Sequence, residues 1–346
     1  MSVFTARDFN NHEQVVYCND PKTGLQAIIA IHNTNLGPAL GGCRMWEYET
    51  EKEALQDVLR LSRGMTYKAA VSHLPLGGGK AVIIGNSRRD KTPELMRSFG
   101  RFVDTLVGRY ITAEDVGMTV EDMVAVSTQT NHVVGLPSGS GDPSPYTAYG
   151  TYKGMCAATK HRLGKDTPKE MKVLVQGVGH VGYHLCKLLH ECGAKLYISD
   201  IVEKSIEKVV KDFGATVVPL NEVPAFDADI YAPCALGAVI NDETLPHLKV
   251  KVIAGSANNQ LHRSHHGNEL NDRHILYTPD YVINAGGLIN VWYEKAQGGY
   301  DESKSLVHID KIHTTLLEIF TAADKQKIAT NKAADHIAEK RFSLER

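Results

Sequence analysis

The chain has 346 residues, of which 42% are hydrophobic and 23% charged, and its formal net charge is −2. That length suits about two domains, and the composition provides for a sizeable core. The near-neutral balance argues against a polyanion-binding role, and no apolar run approaches the ~20 residues of a membrane span. The densest basic patch, Arg88-Arg-Asp-Lys91, is interrupted by an acid. Six cysteines at Cys18, Cys43, Cys156, Cys186, Cys192 and Cys234 include no C-x-x-C pair. Residues 1–17 lack a secretory apolar region, so the expected setting is a reducing cytoplasm, with free thiols in a soluble protein.

Residues 25–32 (LQAIIAIH) suit a short strand. Residues 51–63 carry Ala54, Leu55, Val58, Leu59 and Leu61 at helical spacing. The run Leu74-Pro-Leu-Gly-Gly-Gly-Lys80 follows, its lysine twelve residues after Lys68. A nucleotide P-loop is excluded, because Leu74 stands where the first glycine belongs and Ala81 where the metal-binding hydroxyl belongs. The glycines are expected to let a small ligand approach the backbone. The two lysines suggest chemistry on an anionic organic substrate; the alternative is a solvated surface pair. Residues 81–84 read as a buried strand with Lys80 at its mouth, and residues 93–107 as a helix opened by Pro93.

Gly, Ser and Pro dominate residues 137–145, which marks a domain boundary. Beyond it, strands are expected at 171–176, 195–199, 215–218, 230–232 and 250–254, with helices at 181–190 and 202–213. Such alternation predicts parallel βαβ units and a doubly wound sheet. Gly177-Val-Gly-His-Val-Gly182 lies between the first of these strands and a helix, and Asp200 ends the next strand, 18 residues beyond Gly182. This context makes it a Rossmann dinucleotide fingerprint. Gly177 allows the tight turn, Gly179 admits the pyrophosphate, and Gly182 lets helix pack on strand; Val181 lies within the same turn. Asp200 followed by Ile201 favours ribose hydroxyls over a 2′-phosphate, so the expected cofactor is NAD.

Several ordered blocks resemble the glutamate, leucine, phenylalanine and valine dehydrogenase family. They are Gly37-Pro-Ala-Leu-Gly-Gly-Cys-Arg44, Ser62-Arg-Gly-Met-Thr-Tyr-Lys68, Pro75-Leu-Gly-Gly-Gly-Lys80, Thr112-Ala-Glu-Asp-Val-Gly117 and Asn284-Ala-Gly-Gly-Leu-Ile-Asn290. The resemblance, strongest to leucine-type members, runs from about Gln14 to Arg341. It implies reversible oxidative deamination of an L-amino acid to a 2-oxo acid and ammonia. It further implies an α/β fold of two domains, with substrate in the cleft between them. The expected divisions are 1–143 for substrate binding and oligomerisation, 144–328 for NAD, and 329–346 as a helix packing back on the first domain.

By the same resemblance, Lys68 binds the substrate carboxylate, Lys80 is the base that activates water, and Asp115 shuttles protons at the substrate nitrogen. A lysine must be neutral to accept a proton, and burial or a neighbouring cation disfavours an ammonium. Leu40, Gly41, Met65, Ala113 and Val291 are expected to line the side-chain pocket. Thr147, Asn258 and Asn259 are assigned to the nicotinamide end, the two asparagines alternatively forming only a turn, while Asn284, a further cofactor contact, borders the cleft with Gly286 and Gly287. Ala113 and Val291 favour leucine, valine or isoleucine. The run Trp292-Tyr-Glu-Lys-Ala-Gln-Gly-Gly299 departs from leucine-type members and leaves phenylalanine or tryptophan as the alternative. A non-catalytic NAD-binding sensor is the rival from another class; the presence of Lys68, Lys80 and Asp115 together argues against it. His262, His265, His266 and Glu269 sit in a polar stretch read as a solvated loop, so no metal is expected. Expected partners are small molecules and copies of the chain, with neither nucleic acid nor membrane. The absence of a longer C-terminal tail favours a dimer.

Overall fold

A computed structural model describes residues 2–137, 139–295 and 299–343. They form two units: Met1–Gly141, Val291–Tyr300 and Ala338–Arg346 in the first, and Asp142–Asn290 and Asp301–Ile337 in the second. No helix among the described residues is long and apolar enough to cross a membrane.

In the first unit, strand β1 (Gln14–Asp20) turns at Gly24 and pairs antiparallel with β2 (Leu25–Asn33). Strands β3 (Ala39–Leu40) and β4 (Cys43–Trp46) lie parallel to β5 (Gly77–Ile84), which runs antiparallel to β2. Strand β6 (Tyr110–Ile111) extends the sheet beside β3. The period-2 alternation of β2 and β5 divides the core. Ile28, Ala30 and Val82 join Leu55, Val58 and Leu59 of helix α1 (Glu51–Val71). Ile29, Ile31, Ala81 and Ile83 join Met96, Phe99 and Val103 of α2 (Pro93–Asp104). Thr50 and Thr92 cap these helices by accepting backbone N–H bonds from Glu53 and Leu95. A reciprocal capping box between Thr119 and Asp122 starts α3 (Val120–Ser127).

Two expectations need correction here. Helix α1 runs past position 63 to Val71 because Thr66, Tyr67, Ala69 and Ala70 are all buried. That burial outweighs the cost of about 1 kcal/mol for Gly64 within a helix. Strand β5 begins at Gly77, so Lys80 is not at its mouth but mid-strand, opposite Ala30. The glycine triplet serves the protein's own packing. A Cβ on Gly77 would lie 2.0 Å from the Asn33 carbonyl oxygen, and one on Gly78 2.0 Å from the Thr66 nitrogen. A Cβ on Gly79 would lie 2.7 Å from the Tyr110 ring. Gly78→Ala should therefore push α1 off the sheet and cost about 1–3 kcal/mol. Thermal unfolding checks this, and an unchanged midpoint would show that α1 can shift freely.

In the second unit, α4 (Ser144–Leu163) precedes six parallel strands: β7 (Lys172–Gln176), β8 (Lys195–Ser199), β9 (Thr216–Val217), β10 (Ile230–Pro233), β11 (Val252–Ile253) and β12 (Leu276–Tyr277). Their order is β12-β11-β10-β7-β8-β9. The chain starts in the middle, winds outward, then returns to the other side of β7. This is the doubly wound Rossmann sheet expected from the sequence, with its switch point between β7 and β10. Helix α5 (His180–Glu191) follows β7, and α6 (Glu203–Phe213) follows β8. The remaining helices are α7 (His266–Asp272), α8 (Asp280–Ile283), α9 (Gly286–Trp292), α10 (Glu302–Ile309), α11 (Lys311–Gln326) and α12 (Thr330–Phe342). The end of α12 packs within the first unit. Arg341 donates to the Ala70 and Val71 carbonyls at the C-terminus of α1, while Tyr67 donates to Glu339 at 2.7 Å. The expected terminal helix reached to 346; residues 344–346 lie outside the described residues.

Candidate active site

Parity places Lys80 on the α1 side of the first sheet, with Gly78 and Val82. Lys80 is only 6% exposed, and its Nζ lies 3.1 Å from Asp115 Oδ2. Arg44, on the neighbouring β4, places Nε 3.0 Å from the same oxygen. Its Nη1 reaches Asp57 Oδ2 on α1 at 2.9 Å, and Tyr48 donates to that oxygen at 2.8 Å. Burial alone would push the Asp115 carboxyl up. The charges and hydrogen bonds of Lys80 and Arg44 outweigh it and hold the group below its ordinary 3.8. Asp115 therefore stands ionised at neutral pH.

The other first-unit candidates gather along the same strands. Lys68 is half-buried in the last turn of α1, two residues beyond the Thr66–Gly78 approach. A Cβ on Gly41 would meet the Gly79 carbonyl and come within 3.3 Å of Met65 Cγ, so only glycine fits there. Leu40 pairs with Gly78, and Ala113 accepts the Cys43 N–H at 2.8 Å. Val291 stands half-buried in α9 and belongs to this unit. Of the run 292–299, residues 296–298 lie outside the described residues. Its Glu294 has a definite task, which the sequence reading missed. Its carboxylate accepts the Gly135 and Ser140 N–H groups at 3.0 and 2.9 Å and the Ser140 hydroxyl at 2.7 Å.

In the second unit, Gly177 has φ +94, and a Cβ there would collide with Ala235. A Cβ on Gly182 would lie 2.0 Å from the Gly177 carbonyl oxygen, whereas Gly179 faces open space at the start of α5. That combination of a closed turn and an open helix N-terminus suits a pyrophosphate. Val181 is half-buried in the first turn of α5. Asp200 accepts the Val178 N–H at 2.7 Å with Oδ2 and the Val202 N–H at 2.9 Å with Oδ1, which fixes its carboxylate at the end of β8. Ile201, the next residue, is 84% exposed. Asn284 donates to Asn258 Oδ1 at 2.7 Å and to the Ser256 carbonyl at 3.1 Å. Thr147 Oγ1 lies where a Cβ on Gly287 would come within 2.6 Å, which brings α4 and α9 together. Asn259 is exposed with φ +52, as in a turn.

Comparison with known proteins identifies the family. Residues 12–132 match the model of the Glu/Leu/Phe/Val dehydrogenase dimerisation domain, and residues 196–342 that of Glutamate/Leucine/Phenylalanine/Valine dehydrogenase. The chain is 51% identical to leucine dehydrogenase of Bacillus cereus over 346 residues, covering 99% of this chain and 94% of that protein. The chain belongs to this dehydrogenase family. It is also 50% identical to L-tryptophan dehydrogenase of Nostoc punctiforme over 333 residues, covering 96% of this chain and 94% of the relative. A crystal structure of L-tryptophan dehydrogenase from Nostoc punctiforme superposes with a TM-score of 0.87 at 48% identity, covering 96% of each chain. The protein is thus an amino-acid dehydrogenase, an oxidoreductase that uses a nicotinamide dinucleotide.

Within this dehydrogenase one polar cluster remains to be explained. Asp242, His265 and His266 bring their ligand atoms within 4.8 Å of one another. His262 and His265 are exposed outside any helix, as expected of a solvated loop, whereas His266 opens α7 and is fully buried. His266 Nδ1 accepts the Arg263 N–H at 3.0 Å, so the ring proton sits on Nε2 and is given to Asp242 at 3.1 Å. A metal on Nε2 would need a proton on Nδ1, against the Arg263 amide. The pair therefore ties the loop at 242 to α7 by a hydrogen bond. Arg44 and Asp57 also escaped the sequence reading. The arginine was visible within the Gly-Gly-Cys-Arg block and Asp115 was singled out, but Asp57 and the pairing of Arg44 with both carboxylates were not.

Proposed function

We propose that the protein catalyses reversible NAD-dependent oxidative deamination of a branched-chain L-amino acid: leucine, valine or isoleucine. The observation that carries this reading is the Lys80–Asp115 pair, a buried amine and an ionised carboxylate 3.1 Å apart. Lys68 holds the substrate carboxylate by a charge-assisted hydrogen bond. Asp115 takes a proton from the substrate ammonium, which leaves the amine needed for oxidation. NAD, when bound, supplies the hydride acceptor for the substrate Cα. Lys80 removes a proton from water as the oxygen attacks the resulting iminium carbon. Asp115 returns its proton to the nitrogen, the Cα hydroxyl releases its remaining proton to solvent, and ammonia leaves as the 2-oxo acid forms.

Gly177, Gly179, Val181 and Gly182 form the proposed pyrophosphate cradle, and Asp200 takes the ribose hydroxyls. The carboxylate repels a 2′-phosphate, and exposed Ile201 supplies no cation for one, which supports NAD over NADP. Thr147, Asn258, Asn259 and Asn284 attend the nicotinamide end. Leu40, Gly41, Met65, Ala113 and Val291 line the side-chain pocket, where a methylene is worth only about 1–3 kcal/mol. A second reading, a tryptophan or phenylalanine substrate, is favoured by the aromatic residues Trp292 and Tyr293. The near-equal identity to a tryptophan dehydrogenase favours it too. The six cysteines are free, which suits the reducing cytoplasm.

The test is NADH formation by the purified protein with leucine, valine, isoleucine, phenylalanine and tryptophan offered separately, then with NADP in place of NAD. Fastest turnover of an aliphatic substrate with NAD is expected. Preference for an aromatic substrate moves the assignment to the second reading. No reduction with any of them sinks the enzymatic proposal and leaves a cofactor-binding sensor.

A further inference from the structure

Lys80 is not the only cation on Asp115. Arg44 Nε sits 3.0 Å from Oδ2, the oxygen that Lys80 also contacts, and among the described residues Oδ1 has no such partner. The same guanidinium is gripped at its far end by Asp57 Oδ2, at 2.9 Å from Nη1. Asp57 is itself held by the Tyr48 hydroxyl at 2.8 Å and by Arg60 Nη2 at 3.0 Å. Arg44 comes from β4 and Asp57 from α1, so the grip joins sheet and helix beside Lys80. An arginine can span two carboxylates because its donors point along a rigid fork; an ammonium is a single point charge.

We infer that Arg44 is a positioning residue for the proton transfers, holding Asp115 by Oδ2 so that Oδ1 faces the substrate amine and offsetting the carboxylate's charge beside Lys80. The inference rests on the reading of Lys80 and Asp115 proposed above. Its second half is electrostatic. A permanent cation on the shared oxygen favours the carboxylate form of Asp115, which this contact helps to keep ionised.

The measurement is kcat and kcat/KM against pH for deamination, using the amino acid that the unmodified enzyme turns over fastest. Activity rises with pH on the acid limb as the proton-accepting groups ionise. Removing a cation makes proton loss harder, so Arg44→Gln should lower kcat and move that limb upward by about one pH unit. Arg44→Lys keeps the charge and should leave the limb in place, with kcat still reduced because one ammonium cannot span Asp115 and Asp57. An unmoved limb in Arg44→Gln overturns the inference, however much turnover is lost, since a scaffold role alone predicts that pattern. If Arg44→Gln does not fold, Arg44→Lys decides: unchanged kcat, or a limb displaced upward, overturns it. Absence of turnover in the unmodified enzyme is a separate outcome, and it sinks the proposed function itself.

Discussion

Lys80→Ala should lose turnover by about 10²–10⁴-fold, the range a positioned general base supplies, while NADH still binds. The loss follows from geometry. Lys80 is the buried amine on the ionised Asp115, and alanine leaves a gap where the proposed proton acceptor for water stood. Cofactor affinity should hold because Gly177, Gly179, Gly182 and Asp200 belong to the second unit, whereas Lys80 belongs to the first. Fluorescence titration with NADH and steady-state kinetics separate the two effects. Turnover near that of the unmodified enzyme would remove Lys80 from the mechanism. A parallel loss of NADH affinity would point to general misfolding instead.

Legibility in the sequence followed the range of the interactions involved. Strand β8 was readable to the residue because apolar residues fill 196–198 and a charged turn follows at Asp200. The Rossmann turn was readable because its glycines, strand and acid lie within one βαβ unit. Strand β5 was read as starting four residues late, since three glycines are poor strand formers by local propensity. Their place in the sheet is set by Asn33, Thr66 and Tyr110, neighbours that only the folded chain supplies. Helix α7 was missed for the converse reason. Its stretch is polar, yet His266 turns inward to a partner 24 residues away. Arg44 reaches Asp57 across 13 residues and Asp115 across 71, separations that carry no periodic signal. The proposed reacting groups thus stand in blocks that carry a resemblance, while the contacts that hold them leave no mark in the sequence.

Acidification should destabilise the first unit well before its carboxylates titrate, because two histidines are buried as neutral rings. His12 Nδ1 accepts the Asn10 N–H at 3.1 Å, and its Nε2 lies 3.0 Å from the Leu59 carbonyl, which leaves no acceptor for a second ring proton. His32 shares the Thr66 hydroxyl at 2.8 Å, and the two rings are 4.8 Å apart. Burial, then the neighbouring His12 and Arg63, pull His32 down from 6.5 to about 4 against the weaker pull of Asn10 and Glu13. Burial also lowers His12, with the Leu59 carbonyl and Asp8 opposing and Arg63 assisting. Both groups bind protons more tightly when unfolded. Their contribution is therefore complete above the unfolded value near 6.5 and is lost on acidification, for His32 as pH falls toward about 4. For His32 this amounts to roughly 3 kcal/mol, or a fall on the order of 5–10 °C in the unfolding midpoint. Thermal unfolding between pH 7.5 and pH 4.5 (a range chosen to bracket roughly that window) should show the loss in the unmodified protein, and a shallower one in His32→Gln, which keeps a neutral polar side chain. Parallel pH profiles for the two proteins would assign the acid sensitivity to other groups.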